Sequence, residues 1–186
     1  PQIGQLVEMI IDPFDRVLVD QPFAEHMGFG RADRHRAEHE RVIGGGVGMA
    51  PLRAIIHDQL ERGSGRKISF FYGARSRIDV FHAEEFDDLA RRYANFSWTL
   101  ALSEPAPEDH WDGPTGFVHS VVFERFLKTH EAPEACEYYL CGPPLMIDSC
   151  ISTLMQGRLF ERDIYTEKFI SAADAQQVRS PLFKAI

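Results

Sequence analysis

Basic charge is scarce in this sequence. Its 20 lysines and arginines face 28 aspartates and glutamates, for a formal net charge of −8. A protein that neutralises phosphates needs a basic face, so no nucleic-acid partner is expected. Long apolar runs are missing too. None approaches the roughly 20 residues of a membrane-spanning helix, and no charged-then-apolar leader opens the chain. Cysteine is rare: Cys136, Cys141 and Cys150 are the whole set. An odd number without a leader argues for reduced thiols in a cytoplasmic setting, not a disulfide framework. Cys136 and Cys141 have the gap that opens a plant-type iron–sulfur pattern, but Pro144 stands where the next cysteine is due and no fourth cysteine exists. The chain by itself is therefore not expected to ligate a [2Fe–2S] cluster with cysteines. Gly-x-Ser-x-Gly, His-Glu-x-x-His and Walker A sequences do not occur. The chain opens at Pro1 and not at Met, which leads us to expect a fragment or a processed product.

What is present fits an ordinary globular domain. The 186 residues, 44% hydrophobic and 26% charged, suffice for one domain with a buried core and a short extra segment. The texture changes near residue 41. Before it, Val17-Leu18-Val19 predicts a short strand, and Arg31 to Glu40 is polar and charge-mixed. After it, strand and helix signals alternate. Arg41-Val42-Ile43 predicts a strand. Leu52, Ile55, Ile56 and Leu60 have helical spacing, stopped by Gly63 and Gly65. A strand follows at Lys67–Tyr72, then a helix striped by Phe86, Leu89, Ala90 and Tyr93, then a strand at Phe96–Leu102. Val118, Val121, Val122 and Phe126 stripe a third helix, and Tyr138-Tyr139-Leu140 predicts a fourth strand. Ile147, Cys150, Ile151 and Leu154 stripe a fourth helix, and Ile164–Phe169 predicts a last strand. Five strands alternating with four helices predict an α/β fold: a five-stranded parallel sheet with helices on both faces. Such sheets bind ligands beyond the carboxyl ends of their strands, where the strand order switches.

Four motifs fall at those ends. Gly44-Gly45-Gly46-Val47-Gly48-Met49-Ala50-Pro51 joins strand one to helix one. Its glycines allow a tight turn and a close backbone approach to a pyrophosphate, and the helix offers free N–H groups beyond them. Pro51 suits a first helical turn but stands where the six-residue dinucleotide fingerprint has its third glycine. A glycine run can also be a mere turn. Cys141-Gly142-Pro143-Pro144 ends strand four with a rigid backbone, and Cys141 would face the site; a buried structural thiol is the plainer alternative. Tyr165-Thr166-Glu167-Lys168-Phe169 ends strand five, with Phe169 either at the site or ordinary core. Tyr72-Gly73-Ala74-Arg75-Ser76 ends strand two, where Arg75 and Arg77 are phosphate ligands or solvated loop arginines.

The histidines offer less. His35 and His39 are four apart, a possible metal pair on a helix. They lie in a charge-mixed stretch with no third ligand evident, so a solvated helix or loop is the better account and no metal site is expected. His119 reads as surface.

In this order and at these strand ends, the motifs resemble the NAD-binding domain of the ferredoxin–NADP⁺ reductase superfamily. Residues 42–147 are similar to the F subunits of sodium-translocating NADH:quinone reductases. That resemblance rests on Ala101-Leu102-Ser103-Glu104-Pro105, Trp111-Asp112-Gly113, Thr115 to His119, His130 to Glu134 and Cys136 to Pro144. The tail, Thr153 to Ile164 and Pro181 to Ile186, resembles reductase components of phenol-hydroxylase-type monooxygenases. The resemblance implies hydride transfer from NADH to FAD. It implies that Gly44, Gly45, Gly46, Gly48, Met49 and Pro51 hold the pyrophosphate region, with Gly73, Arg75, Ser103 and Glu104 also at the nucleotide. Cys141, Gly142, Pro143 and Pro144 would border the nicotinamide, Glu167 would poise the hydride-transfer site, and Phe169 would stack on the flavin. A carboxylate at Glu104 would repel a 2′-phosphate and favour NADH over NADPH.

The family's flavin barrel carries an Arg-x-Tyr-Ser fingerprint that does not occur here. Residues 17–26 resemble only the last strand and exit of that barrel, with Gln21 and Ala24 where glycines are usual. The expected division is therefore residues 1–40 as flavin-domain remnant and linker, 41–169 as NAD-binding domain and 170–186 as tail. FAD and a [2Fe–2S] cluster would belong mostly to flavin and ferredoxin-like domains of the same reductase. Its partner would be a quinone-reductase complex at the cytoplasmic face of the inner membrane, or an oxygenase component. A nucleotide-binding scaffold without turnover is the alternative of another class.

Overall fold

The computed structural model describes residues 39–157, 159 and 163–168. The strand expected at Val17-Leu18-Val19, residue Phe169 and the tail from 170 onward lie outside them. The described order is β1 (His39–Gly45), a 3-10 turn (Gly46–Gly48), α1 (Met49–Glu61), β2 (Lys67–Ala74), α2 (Ala83–Arg92), β3 (Phe96–Leu102), α3 (Val118–Val122), a π-helical turn (Phe123–Leu127), β4 (Cys136–Gly142), α4 (Pro144–Gln156) and β5 (Ile164–Lys168).

All five strands run parallel, in the spatial order β3-β2-β1-β4-β5. Each parallel crossover lays a helix on a sheet face, so the central strands β1 and β4 are buried on both sides. In β4 every residue is buried. Leu52 of α1 and Phe86 of α2 pack on the face that carries Phe70. The α3 and α4 side chains Val118, Val122, Ile147 and Leu154 share a core with Ile43, Phe71 and Leu140 on the other face.

The helices form where apolar spacing and end chemistry agree. In α1, Met49, Leu52, Ile55, Ile56 and Leu60 make one buried stripe. Leu52 and Ile56 are fully buried, each worth about 1.5–3 kcal/mol relative to exposure. The helix ends because Gly63 takes φ +68. Its N–H donates to Leu60 O and that of Ser64 to Gln59 O, each at 3.0 Å, so two otherwise orphaned carbonyls are satisfied. In α2, Glu84 and Glu85 open the helix and Arg91 and Arg92 close it, complementing the helix dipole at both ends. Phe86 fills the space beneath, 4.9 Å from the Phe70 ring and 5.6 Å from that of Trp98. Tyr93, expected on this stripe, leaves the helix at φ −120.

Several boundaries differ from the sequence pattern: β2 runs on to Ala74, and β4 spans Cys136–Gly142. β1 begins at His39, two residues before the apolar signal, because Glu40 and Arg41 are buried by pairing. Arg66 donates to Glu40 Oε1 at 2.7 Å and to Glu137 Oε2 at 3.0 Å, and the Tyr139 hydroxyl donates to the same Glu137 oxygen at 2.9 Å. Burial pushes the Glu40 carboxyl above its ordinary range against the opposing pull of Arg66. Arg41 lies 4.4 Å from the centroid of the Phe126 ring. The third helix is likewise split. Only Val118–Val122 is α-helical, and a π turn over Phe123–Leu127 brings both Phe126 and Leu127 inward.

Candidate functional site

The chain leaves β1 towards β2 on one side, and β4 lies on the other. A crevice therefore opens between the carboxyl ends of β1 and β4. The glycine segment supplies one wall and Cys141-Gly142-Pro143-Pro144 the other. Gly46 turns the chain at φ +57. Gly48 lies so close to β4 that a Cβ there would stand 2.4 Å from Cys141 O and 2.5 Å from Gly142 Cα. Met49 then opens α1, whose first N–H groups have no partner within the helix. Pro51, its third residue, lacks an N–H that would have been an orphan in any case. Across the crevice, Pro143 caps α4 and Pro144 begins it.

Met146 was not marked by its sequence pattern. It sits in the first turn of α4, and its side chain is the nearest to both Gly45 and Gly142. It packs against one glycine of each wall. The inward stripe of α4 runs through Ile147 and Cys150, so only the preceding Cys-Gly-Pro-Pro turn hints at this neighbour's position.

Cys141 presents its backbone to the crevice and hides its thiol, which is fully buried. Burial, and then the charge of Glu167, push that thiol up to about 12. It is therefore a neutral thiol near pH 7, without the thiolate that nucleophilic chemistry requires. Glu167 is the register partner of Cys141 on β5, so sheet pairing alone brings these two expected site residues together.

The outer limb lies past β2 and β3. Ser103 N–H donates to Ala74 O at 3.0 Å and Glu104 N–H to Arg75 O at 2.8 Å, which carries the pairing beyond the strands. Arg75 reaches Glu104 at 3.4 Å, and both side chains are largely exposed. Arg77 lies over the Trp111 ring at 5.6 Å. Gly73, the last residue but one of β2, lies against Val118 of α3. His39 and Cys136 are register partners at the opposite, amino end of the sheet, where His130 also lies; His35 falls outside the described residues.

A parallel sheet with this strand order and glycine-lined switch point defines a dinucleotide-binding domain of the ferredoxin reductase-like class. The chain belongs to the oxidoreductase NAD-binding domain family, whose sequence signature matches residues 42–151. It is similar to the F subunit of the Na(+)-translocating NADH-quinone reductase of Neisseria meningitidis MC58, 49% identical over 170 residues, which is 89% of this chain and 40% of that protein. Its counterpart in Actinobacillus succinogenes is 52% identical over the same shares. The chain thus spans about 40% of the length of these relatives. Among solved structures it is similar to the ferredoxin reductase in carbazole 1,9a-dioxygenase, with TM-score 0.61 and 27% identity over 75% of this chain and 39% of that one. An Amycolatopsis cytochrome P450 reductase gives TM-score 0.63 and 26% identity over 74% of this chain and 39% of that one. Among the described residues, no helix is long and apolar enough to cross a membrane.

Proposed function

We propose that this chain is the NADH-binding part of a flavin- and iron–sulfur-dependent reductase that passes electrons to a quinone-reductase complex. The observation that carries the reading is the approach of Gly48 to the Cys141–Gly142 backbone. It leaves a groove edged by bare backbone and a helix start, which is what a pyrophosphate requires. Gly44, Gly45, Gly46, Gly48, Met49 and Pro51 hold the pyrophosphate region. Cys141, Gly142, Pro143 and Pro144 border the nicotinamide, and Gly73, Arg75, Ser103 and Glu104 lie towards the adenosine ribose. Glu104 disfavours a 2′-phosphate by charge.

When bound, the nicotinamide supplies a hydride to a flavin. The residues of this chain orient and enclose, and the chemistry belongs to the cofactors. Glu167 poises the hydride-transfer site through its place beside Cys141. Phe169, outside the described residues, is assigned the stacking contact with the flavin.

FAD and the [2Fe–2S] cluster are assigned to other domains of the same reductase. Residues 1–40 then form the end of the flavin domain and a linker, residues 41–169 the NAD-binding domain and residues 170–186 a tail. The quinone acceptor rests on relatives that are 49% and 52% identical, and the chain would reach the inner membrane through such partners. An oxygenase acceptor is the second reading, resting on the 27% likeness to the carbazole dioxygenase reductase.

Calorimetric titration of the purified chain with NADH and NADPH tests this function, followed by addition of FAD and an artificial electron acceptor. NADH binding well above NADPH, with little turnover, is the expected result. Failure to bind either nucleotide would remove the reading and leave a scaffold role.

A further inference from the structure

At the amino end of the sheet, far along the strands from the crevice, three soft donors from separate segments converge. His39 opens β1, Cys136 opens β4 as its register partner, and His130 lies in the connection that follows the π turn. One ligand atom from each lies within 4.8 Å of the other two. The His39 and His130 rings meet edge to face, with centroids 5.8 Å apart. Cys136 is buried while both imidazoles are partly open to solvent. We infer that His39, His130 and Cys136 form a binding site for a single Zn²⁺ ion, separate from the nucleotide crevice.

The donor set selects the metal. Two imidazoles and a thiolate suit zinc and related borderline-soft ions, whereas calcium and magnesium require oxygen ligands. Zinc–nitrogen bonds of about 2.0 Å and zinc–sulfur bonds of about 2.3 Å put tetrahedral ligand atoms about 3.3–3.6 Å apart. Side-chain rotations of about an ångström close the observed spacing to that range. The open side of the two imidazoles gives the ion its entry path and water its place as fourth ligand.

The surroundings both oppose and assist. Arg41 faces Cys136 and His130 and repels a dication, while Glu131 and Glu134 act on His130 with the opposite sign. Binding converts the Cys136 thiol to a thiolate and releases its proton to solvent, so the site gains one negative charge to offset Arg41. His130 gives up one contact: its Nδ1 accepts from Ala132 N–H at 3.2 Å. Ligation through Nδ1 replaces that hydrogen bond, and ligation through Nε2 moves the ring proton onto Nδ1, against it. Once filled, the site ties the starts of β1 and β4 to the connection before β4.

The test is Co²⁺ titration of the tag-free 186-residue chain under reducing conditions, followed by displacement with Zn²⁺. The expected result is one equivalent bound, with a thiolate-to-cobalt charge-transfer band in the near ultraviolet and tetrahedral visible absorption. The band should be absent from C136A and retained in C150A, and Zn²⁺ should raise the melting temperature of the wild type but not of C136A. H130N should weaken Zn²⁺ by about tenfold or more. If C136A does not fold, H130N carries the test, since its side chain is partly exposed and outside the core. Absence of a charge-transfer band in the wild type, its survival in folded C136A, or unchanged affinity in H130N each overturns the site.

Discussion

Gly48 and Cys141 approach so closely that a Cβ on the first would stand 2.4 Å from the carbonyl oxygen of the second. No side chain fits between Gly48 and the Cys141–Gly142 backbone, so at this point the two walls of the crevice meet backbone to backbone. Gly48 has φ −64 and ψ −10, a conformation alanine adopts freely. The effect of Gly48→Ala is therefore steric. The loop must retreat from β4, at about 1–3 kcal/mol of overpacking, and NADH affinity should fall by about tenfold or more. Calorimetry and thermal melting measure both. Unchanged NADH affinity in a folded G48A chain would separate this contact from nucleotide binding.

Glu104 and Arg75 make a second prediction. Their 3.4 Å pair is exposed and contributes little to stability. Its consequence is for specificity. Glu104→Gln removes the charge that opposes a 2′-phosphate and releases Arg75, a good phosphate ligand, on the same edge. NADPH affinity should rise by about tenfold in E104Q, with NADH affinity changed by a few-fold at most. Titration with both nucleotides decides it, and an unaltered NADH-to-NADPH ratio would move the specificity determinant elsewhere.

Much of this arrangement was legible from the residues alone. Val42 and Ile43 before glycines, the Leu52–Leu60 stripe and the Phe96–Leu102 run marked their elements because apolar periodicity is the signal that burial leaves in a sequence. The glycine and Cys-Gly-Pro-Pro motifs marked the crevice because backbone constraints need particular residue types. What escaped was set by partners distant in sequence. Glu40 looked like the end of a solvated stretch, since the Arg66 that makes its burial possible is not near it in the chain; Arg41 was legible as strand, but its burial against Phe126 was not. His39 seemed to belong with His35 by spacing, whereas the sheet register brings Cys136 beside it. The π turn after Val122 keeps the stripe of a continuous helix, so spacing could not reveal it.

Cys141 should be chemically silent in the folded chain. With its thiol pushed up to about 12, the thiolate fraction at pH 8 is on the order of one in 10,000, and the sulfur is also fully buried. Iodoacetamide at pH 8 should therefore label Cys141 only after unfolding, as followed by mass spectrometry of native and denatured samples. Rapid native labelling at this residue would mean that the crevice opens far enough to expose the thiol.

The Glu40–Arg66–Glu137 cluster sets a pH dependence of stability. Glu40 is fully buried, and its carboxyl is raised mainly by burial. A carboxyl raised on folding contributes stability that is complete below its unfolded value of about 4.5 and is lost as pH rises through the folded value. Wild-type stability should therefore decline relative to that of Glu40→Gln as pH rises from about 4.5 towards neutrality. Arg66→Met acts in the opposite sense to a relief of charge. It strips the cation from two buried carboxylates, should cost about 3 kcal/mol at neutral pH, and should lower the melting temperature by about 10 °C. Because Arg66 is what holds Glu40 down, its loss raises the Glu40 carboxyl further. The R66M deficit should then shrink as pH falls and the carboxyls take up protons. Urea melts of the three proteins between pH 4.5 and 8 read both slopes, and a pH-independent R66M deficit would show that Arg66 acts through packing of its stem and not through its charge.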